Sequence, residues 1–278
     1  MRVKGYADGP FGQVHYQIAS PLVGSSDNQS ADNVAATLIL CHQSPSSSEM
    51  FGPAYALLAQ AGIRAIGIDT PGFGQSAAPA GKHSIRGYAE AVTAVMDHLN
   101  ITRASILGHH TGASIAAEVA ASWPDRISRV ILNGPPVMTR EQRETIRAAI
   151  HAAPRIKPVA NGQHLVDLWN KRVQFTPGWT SLTAMHNGVV QMLLAGDSDL
   201  AGFDAAFDHD IAVPIRKITR PCLILTNTGD DLYDASQRAR ELRPDFSYYE
   251  LIGGTHDIVD EQTEAWVAAV ADFILADR

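Results

Sequence analysis

Cysteine is nearly missing from this chain. Its 278 residues hold two, Cys41 and Cys222, too few for the disulfide framework that staples small secreted domains. Each stands at the end of an apolar run, which reads as a buried free thiol in a reducing compartment. No apolar stretch approaches the roughly 18 residues of a membrane-spanning helix. The opening Met1-Arg2-Val3-Lys4-Gly5-Tyr6 has no apolar h-region of the secretory type. These absences together give the expectation of a cytoplasmic protein. Basic clusters are missing as well. Lys and Arg number 22 against 29 Asp and Glu, a formal charge of −7, and no basic stripe or tail appears. Nucleic acid and the membrane surface are therefore not expected as partners. No cofactor-binding fingerprint stands out either, so no cofactor is expected.

What is present is a core-forming sequence. Hydrophobic residues make up 45% and charged residues 18%, ordinary for a globular protein with a sizeable interior. Strand-like and helix-like runs alternate, the pattern of an α/β fold with a mostly parallel sheet flanked by helices. Strands are expected at Val14–Ala19, Ala35–Cys41, Arg64–Asp69, Arg103–Leu107, Val130–Asn133, Pro221–Thr226 and Phe246–Leu251. Helices are expected near Phe51–Ala61, over Ser84–Leu99 with Ile85, Tyr88, Val92, Val95, Met96 and Leu99 on one stripe, at Ala113–Ser122, and at Thr263–Leu275. Residues 20–33, rich in Ser, Asp and Asn, read as an exposed loop. From Val137 to about Pro214 the alternation stops and the pattern is helical throughout. This gives an α/β core in two parts, 1–136 and 215–278, with a helical insertion at 137–214.

Another absence is more pointed. Ser105-Ile106-Leu107-Gly108-His109-His110-Thr111-Gly112 has the glycine spacing of the G-x-S-x-G nucleophile elbow, between a strand and a small-residue helix. The position that should carry serine carries His110. Glycines flank such a turn because the strand and helix backbones come close together there.

Four segments in order resemble the α/β-hydrolase superfamily. His42-Gln43-Ser44-Pro45 follows a strand where that family carries its oxyanion-hole loop. Asp69-Thr70-Pro71-Gly72-Phe73-Gly74-Gln75-Ser76 looks like its Asp-x-x-Gly-x-Gly-x-Ser turn. Gly108–Gly112 matches the elbow, and Gly253-Gly254-Thr255-His256-Asp257 looks like the loop of the catalytic histidine. The resemblance implies that 137–214 is a cap. It also places the acid after the strand Pro221–Thr226, at Asp230, with Asp231 one position off, so that Asp230 would hold His256 in one tautomer. The implied catalytic set is His110, Asp230 and His256. A neutral imidazole is already a base or nucleophile near pH 7, whereas a serine hydroxyl needs a partner to become one.

Around this set, His42, Gln43, His109 and Thr111 are the candidate oxyanion and substrate-binding residues. Trp169, Trp179, Met185 and His186 in the helical insertion are the candidates for an apolar pocket wall. Ser44 is the one serine considered as a substitute nucleophile. A divalent metal held by His42, His109, His110 and His256 with Asp230 or Asp69 is a weaker alternative, since adjacent histidines on a turn project differently. The expected partner is a small-molecule substrate. Hydrolysis of an ester, lactone or carbon–carbon bond of an apolar or aromatic carbonyl compound is the leading expectation. A cofactor-free lyase or oxygenase and an inactive binding protein stand beside it. The oligomeric state stays open, a homodimer included.

Overall fold

A computed structural model describes residues 2–21, 34–176, 178 and 181–276. Residues 22–33, most of the expected loop, and Trp179 lie outside the described residues.

The first hairpin pairs β1 (Arg2–Gly9) with β2 (Gly12–Ala19) in antiparallel register, closing at Gly9 opposite Gly12. Then come β3 (Ala36–Cys41), α1 (Ala54–Gln60), β4 (Ile63–Ile68), α2 (Ile85–His98), β5 (Ala104–His109), α3 (Thr111–Ser122) and β6 (Ile127–Asn133). Among the described residues five α-helices follow before the next strand: α4 (Arg140–Ala152), α5 (Gln163–Phe175), α6 (Leu182–Ala195), α7 (Ala201–Asp208) and α8 (Ala212–Lys217). The sheet resumes with β7 (Cys222–Asn227), α9 (Tyr233–Leu242), β8 (Ser247–Leu251), α10 (Ile258–Glu261) and α11 (Thr263–Leu275). The eight strands stand in the order β1-β2-β4-β3-β5-β6-β7-β8. β2 meets β4 antiparallel, and every pairing from β4 through β8 is parallel.

The interior parallel strands β3 to β7 are largely apolar on both faces, as a sheet covered on both sides requires, whereas the edge strand β8 exposes Ser247 and Tyr249. Alternate residues divide between two cores. Ile39, Cys41, Ile106, Val130, Leu132 and Ile224 pack with α2 and α3. Leu38, Leu40, Leu107, Ile131, Leu223 and Leu225 pack with α1 and α11 around the fully buried Trp266.

Strand β1 had no counterpart among the expected strands. Only Ala7 of its eight residues is buried, because β1 is the sheet's edge and carries no core-facing alternation. The expected helix near Phe51–Ala61 splits into a 3₁₀ turn, Ser48–Phe51, and α1, with Gly52-Pro53 between them. Proline cannot continue the first piece because it lacks the N–H.

β3 leads to β4 on one side, while β5 lies on its other side. At such a reversal the loops leaving two neighbouring strands diverge and open a crevice beyond their carboxyl ends. His42-Gln43 and His110 are the residues that leave those two strands.

Candidate active site

β5 ends at His109 and α3 begins at Thr111, so the entire turn is His110. The sequence pattern left five residues between strand and helix; the structure needs one. Its backbone sits at φ +50°, ψ −109°, a conformation that costs a non-glycine residue about 1–3 kcal/mol and persists only where the surroundings enforce it. The glycines allow the enforcement. A Cβ on Gly108 would lie 1.8 Å from the Gly112 carbonyl oxygen, and one on Gly112 would lie 2.0 Å from that of Cys41. The His110 N–H donates to the Asn133 carbonyl at 2.9 Å. Asn133 is anchored in turn by the Trp266 indole N–H, which donates to its Oδ1 at 2.7 Å.

His110 Nε2 lies 2.9 Å and 3.0 Å from the two carboxylate oxygens of Asp230. The loop after β7 delivers that carboxylate into a buried position, where Oδ1 also accepts from the Leu232 N–H at 2.8 Å. Burial pushes the Asp230 carboxyl up, but the charge and hydrogen bond of His110 outweigh it and hold the group down at about 2. An ionised Asp230 accepts a hydrogen bond from Nε2–H, which leaves Nδ1 with the lone pair. Gly134 makes room for the pair: at φ +58°, any Cβ there would lie 2.5 Å from His110 Cδ2 and 2.7 Å from Asp230 Oδ2.

His109 is fully buried and stacked on His110, ring centroids 4.3 Å apart and planes 8° from parallel. Its Nε2 donates to the His256 carbonyl oxygen at 2.9 Å, and its buried Nδ1 makes no well-formed hydrogen bond among the described residues. Burial first, then the neighbouring His110, pushes it down to about 4. His109 is therefore a neutral spacer between the elbow and the His256 loop.

The expected bond between Asp230 and His256 is not formed. Asp230 is committed to His110, and His256 has other neighbours. Its Nε2 is 2.7 Å from Arg172 Nη1 and 3.2 Å from Asp257 Oδ2, and its Nδ1 is 3.4 Å from Asp231 Oδ2. Arg172 also donates to Asp257 through Nη2. Burial opposes charge on His256, but Asp231 and Asp257 outweigh it and raise its pKa. Asn227 Nδ2 steadies the loop by donating to the carbonyls of Gly253 and Thr255, both at 3.1 Å.

The remaining candidates divide. His42 is buried with Nδ1 donating to the Gln43 carbonyl at 2.8 Å and Nε2 accepting from the Thr70 N–H at 2.9 Å. Burial lowers its pKa, so it is a neutral brace between two loops. The Gln43 N–H is directed at Met50 Sδ, 3.4 Å away, a weak acceptor. Thr111 opens α3, so its N–H has no carbonyl one turn back within the helix. Ser44 is buried against α7, where a Cβ on Gly202 would lie 2.0 Å from its Oγ. Trp169 is half-buried one turn before Arg172 on α5, which places the two on one face. Met185 is buried one turn before Gly188 on α6, and Gly188 lies against Arg172. His186 is exposed. Among the described residues no three His, Cys, Asp or Glu side chains are grouped to hold a metal ion. Arg172 and Asp257 carried no expectation. Arg172 has no motif around it, whereas Asp257 could have been flagged as the immediate neighbour of His256.

The elbow, the loops beyond β3 and β7, and the histidine after β8 all meet at one end of the sheet. Residues 36–261 match the family described as alpha/beta hydrolase fold. The chain belongs to this family. The 2-(acetamidomethylene)succinate hydrolase of Mesorhizobium japonicum is 23% identical over 248 residues, which cover 85% of this chain and 87% of that protein. A hydrolase from Pseudomonas aeruginosa PA01 has the same fold, with a TM-score of 0.78 at 18% identity over 98% of both chains. The enol-lactonase of Burkholderia xenovorans LB400 follows with a TM-score of 0.71 at 22% identity, covering 97% of this chain and 99% of that one. At the turn between β5 and α3 this member of the alpha/beta hydrolase fold family holds His110, in contact with Asp230 after β7.

Proposed function

We propose that the protein hydrolyses a small carbonyl compound, an ester, lactone or activated carbon–carbon bond, with His110 as the base that activates water. One observation carries this reading: the His110–Asp230 contact at the elbow. An ionised carboxylate on Nε2–H fixes the tautomer and stabilises the imidazolium that forms when Nδ1 takes a proton. Water gives up that proton as its oxygen attacks the carbonyl carbon. Negative charge then develops on the carbonyl oxygen, and the N–H of Thr111, which has no carbonyl one turn back within α3, is suited to receive it. His256 is the group available to protonate the leaving atom. No hydroxyl nucleophile is required, and no acyl-enzyme forms.

The helices over 137–214 act as a cap in this reading. Trp169 shares a helix face with Arg172, which meets His256, and Met185 shares one with Gly188, which lies against Arg172; this favours a small apolar or aromatic substrate. The names of the relatives, a succinate-derivative hydrolase and an enol-lactonase, support carbonyl hydrolysis in general and no particular substrate.

The test begins with a screen of aromatic esters, lactones and β-diketones. On the compound turned over, His110→Ala is expected to lose roughly 10²–10⁴-fold in kcat, and turnover in oxygen-18 water should place one label in the released acid. Serine-directed fluorophosphonates should leave the protein unlabelled. Unchanged turnover by His110→Ala would remove this mechanism.

A further inference from the structure

His256 and Asp231 lie outside the His110–Asp230 pair, and Arg172 reaches them from a different part of the chain. A guanidinium has five donors and no acceptor. Its approach to His256 Nε2 at 2.7 Å therefore requires Nε2 to carry a lone pair. The neutral ring must then hold its proton on Nδ1. That nitrogen is buried without a well-formed hydrogen bond, and the carboxylate that faces it is Asp231, with Oδ2 at 3.4 Å. Asp231 is 70% exposed at its side chain, so a small rotation completes the bond. Asp257 also faces Nε2, at 3.2 Å, but it is bound by Arg172 Nη2 and sits farther from the ring than Nη1.

We infer that Arg172 and Asp231 form a tautomer clamp on His256, with Arg172 holding Nε2 as a lone pair and Asp231 receiving the proton of Nδ1. Two consecutive acids thus serve two different histidines, Asp230 for His110 and Asp231 for His256. Arg172 is a positioning residue. It is itself positioned by Gly188, where a Cβ would lie 3.0 Å from Arg172 Nε, so α6 must stay bare at that point. The clamp depends on charge. When His256 takes a second proton, two donors face each other across 2.7 Å, and the Arg172 contact fails while Asp231 and Asp257 favour the new charge. Asp260, the other acid nearby, interacts with Asp257 and Arg172.

This inference extends the proposed hydrolysis by naming how its proton donor is held. Its decisive test does not use turnover. Histidine ring nitrogen-15 spectra of the full chain, with His256 assigned through His256→Gln, read the tautomer directly. The wild type above its titration should show Nδ1–H. An Nε2–H ring in the wild type overturns the clamp.

The titration of His256 gives opposite shifts for the two partners. Asp231→Asn should move it down by about half a pH unit, as befits a largely exposed acid. Arg172→Gln should move it up by about one unit, because a cation is lost, and should mix the tautomers. Arg172→Lys keeps the charge and should fall between Gln and wild type. Shifts of the same sign in Asp231→Asn and Arg172→Gln would refute the arrangement. Should Arg172→Gln fail to fold, the Asp231→Asn shift and the wild-type tautomer still decide. If the clamp is seen but His110→Ala turns over normally, the proposed hydrolysis falls and the clamp stands.

Discussion

His110 and His256 are joined through His109, yet the two are held by different means. The elbow is fixed by backbone. His110 is the single residue between the end of β5 and the start of α3, with Gly108 and Gly112 packed against carbonyl oxygens. The His256 loop is fixed by side chains from three separate places, Arg172 on α5, Asp231 after β7 and Asn227 in β7. A backbone-locked group keeps its place whatever the protonation states nearby. A group held by charges changes its holding when those charges change. In the proposed hydrolysis, the difference would suit a base that must stay aimed and a donor that must give up and regain a proton.

The sharpest way to break this contrast is Gly112→Ala. With a Cβ 2.0 Å from the Cys41 carbonyl, α3 cannot keep its distance from β3, and the loss should exceed about 4 kcal/mol. Urea unfolding would show it, and a loss under about 1 kcal/mol would mean the elbow is not backbone-locked.

Asp230→Asn tests the elbow's one electrostatic support. The Asp230 carboxyl is lowered in the fold, so its contribution is present above about pH 4 and fades as pH falls toward 2. At neutral pH the variant should lose about 2 kcal/mol, with the gap to wild type closing in acid. A gap independent of pH would sink the pairing.

Gly134→Ala strains a left-handed position and pushes on both His110 and Asp230. It should cost about 1–2 kcal/mol of stability and lower turnover more than an equally destabilising change elsewhere. Retained turnover at that stability would show that the pair tolerates displacement.

The smallest effect belongs to the His256 side. Burial first, then Asp257, raises Asp260 to about 6, so the folded state binds a proton more tightly than the unfolded chain. That stability is present below about pH 4 and is lost as pH rises through 6. Asp260→Asn should therefore raise stability at pH 7 by about 1 kcal/mol after allowance for its partial exposure, and by nothing at pH 4. Thermal unfolding at the two pH values reads the difference.

The same contrast explains what the sequence made legible. The elbow could be read because its steric demand falls on neighbouring positions, Gly108, His110 and Gly112. The interior strands could be read because each is apolar on two faces. The partner of His256 could not. Asp230 and Asp231 are adjacent, and which of them meets which histidine depends on how the loop after β7 turns. Arg172 lies 84 residues from His256, on a helix with no motif of its own. His42 looked like a pocket residue because of its place after β3. Only its two hydrogen bonds reveal that it braces loops. The one-residue turn at His110 was hidden because an apolar run does not show where a strand stops.

Trp266 gives the molecule a built-in optical gauge. Its indole is shielded from water, and its N–H is bonded to Asn133, the residue whose carbonyl holds the His110 N–H. Such an indole emits toward the blue and resists quenchers dissolved in the solvent. Any substitution that loosens the elbow enough to shift Asn133 changes the polarity around that ring. Strain at the turn is thereby registered as colour, two hydrogen bonds away from His110.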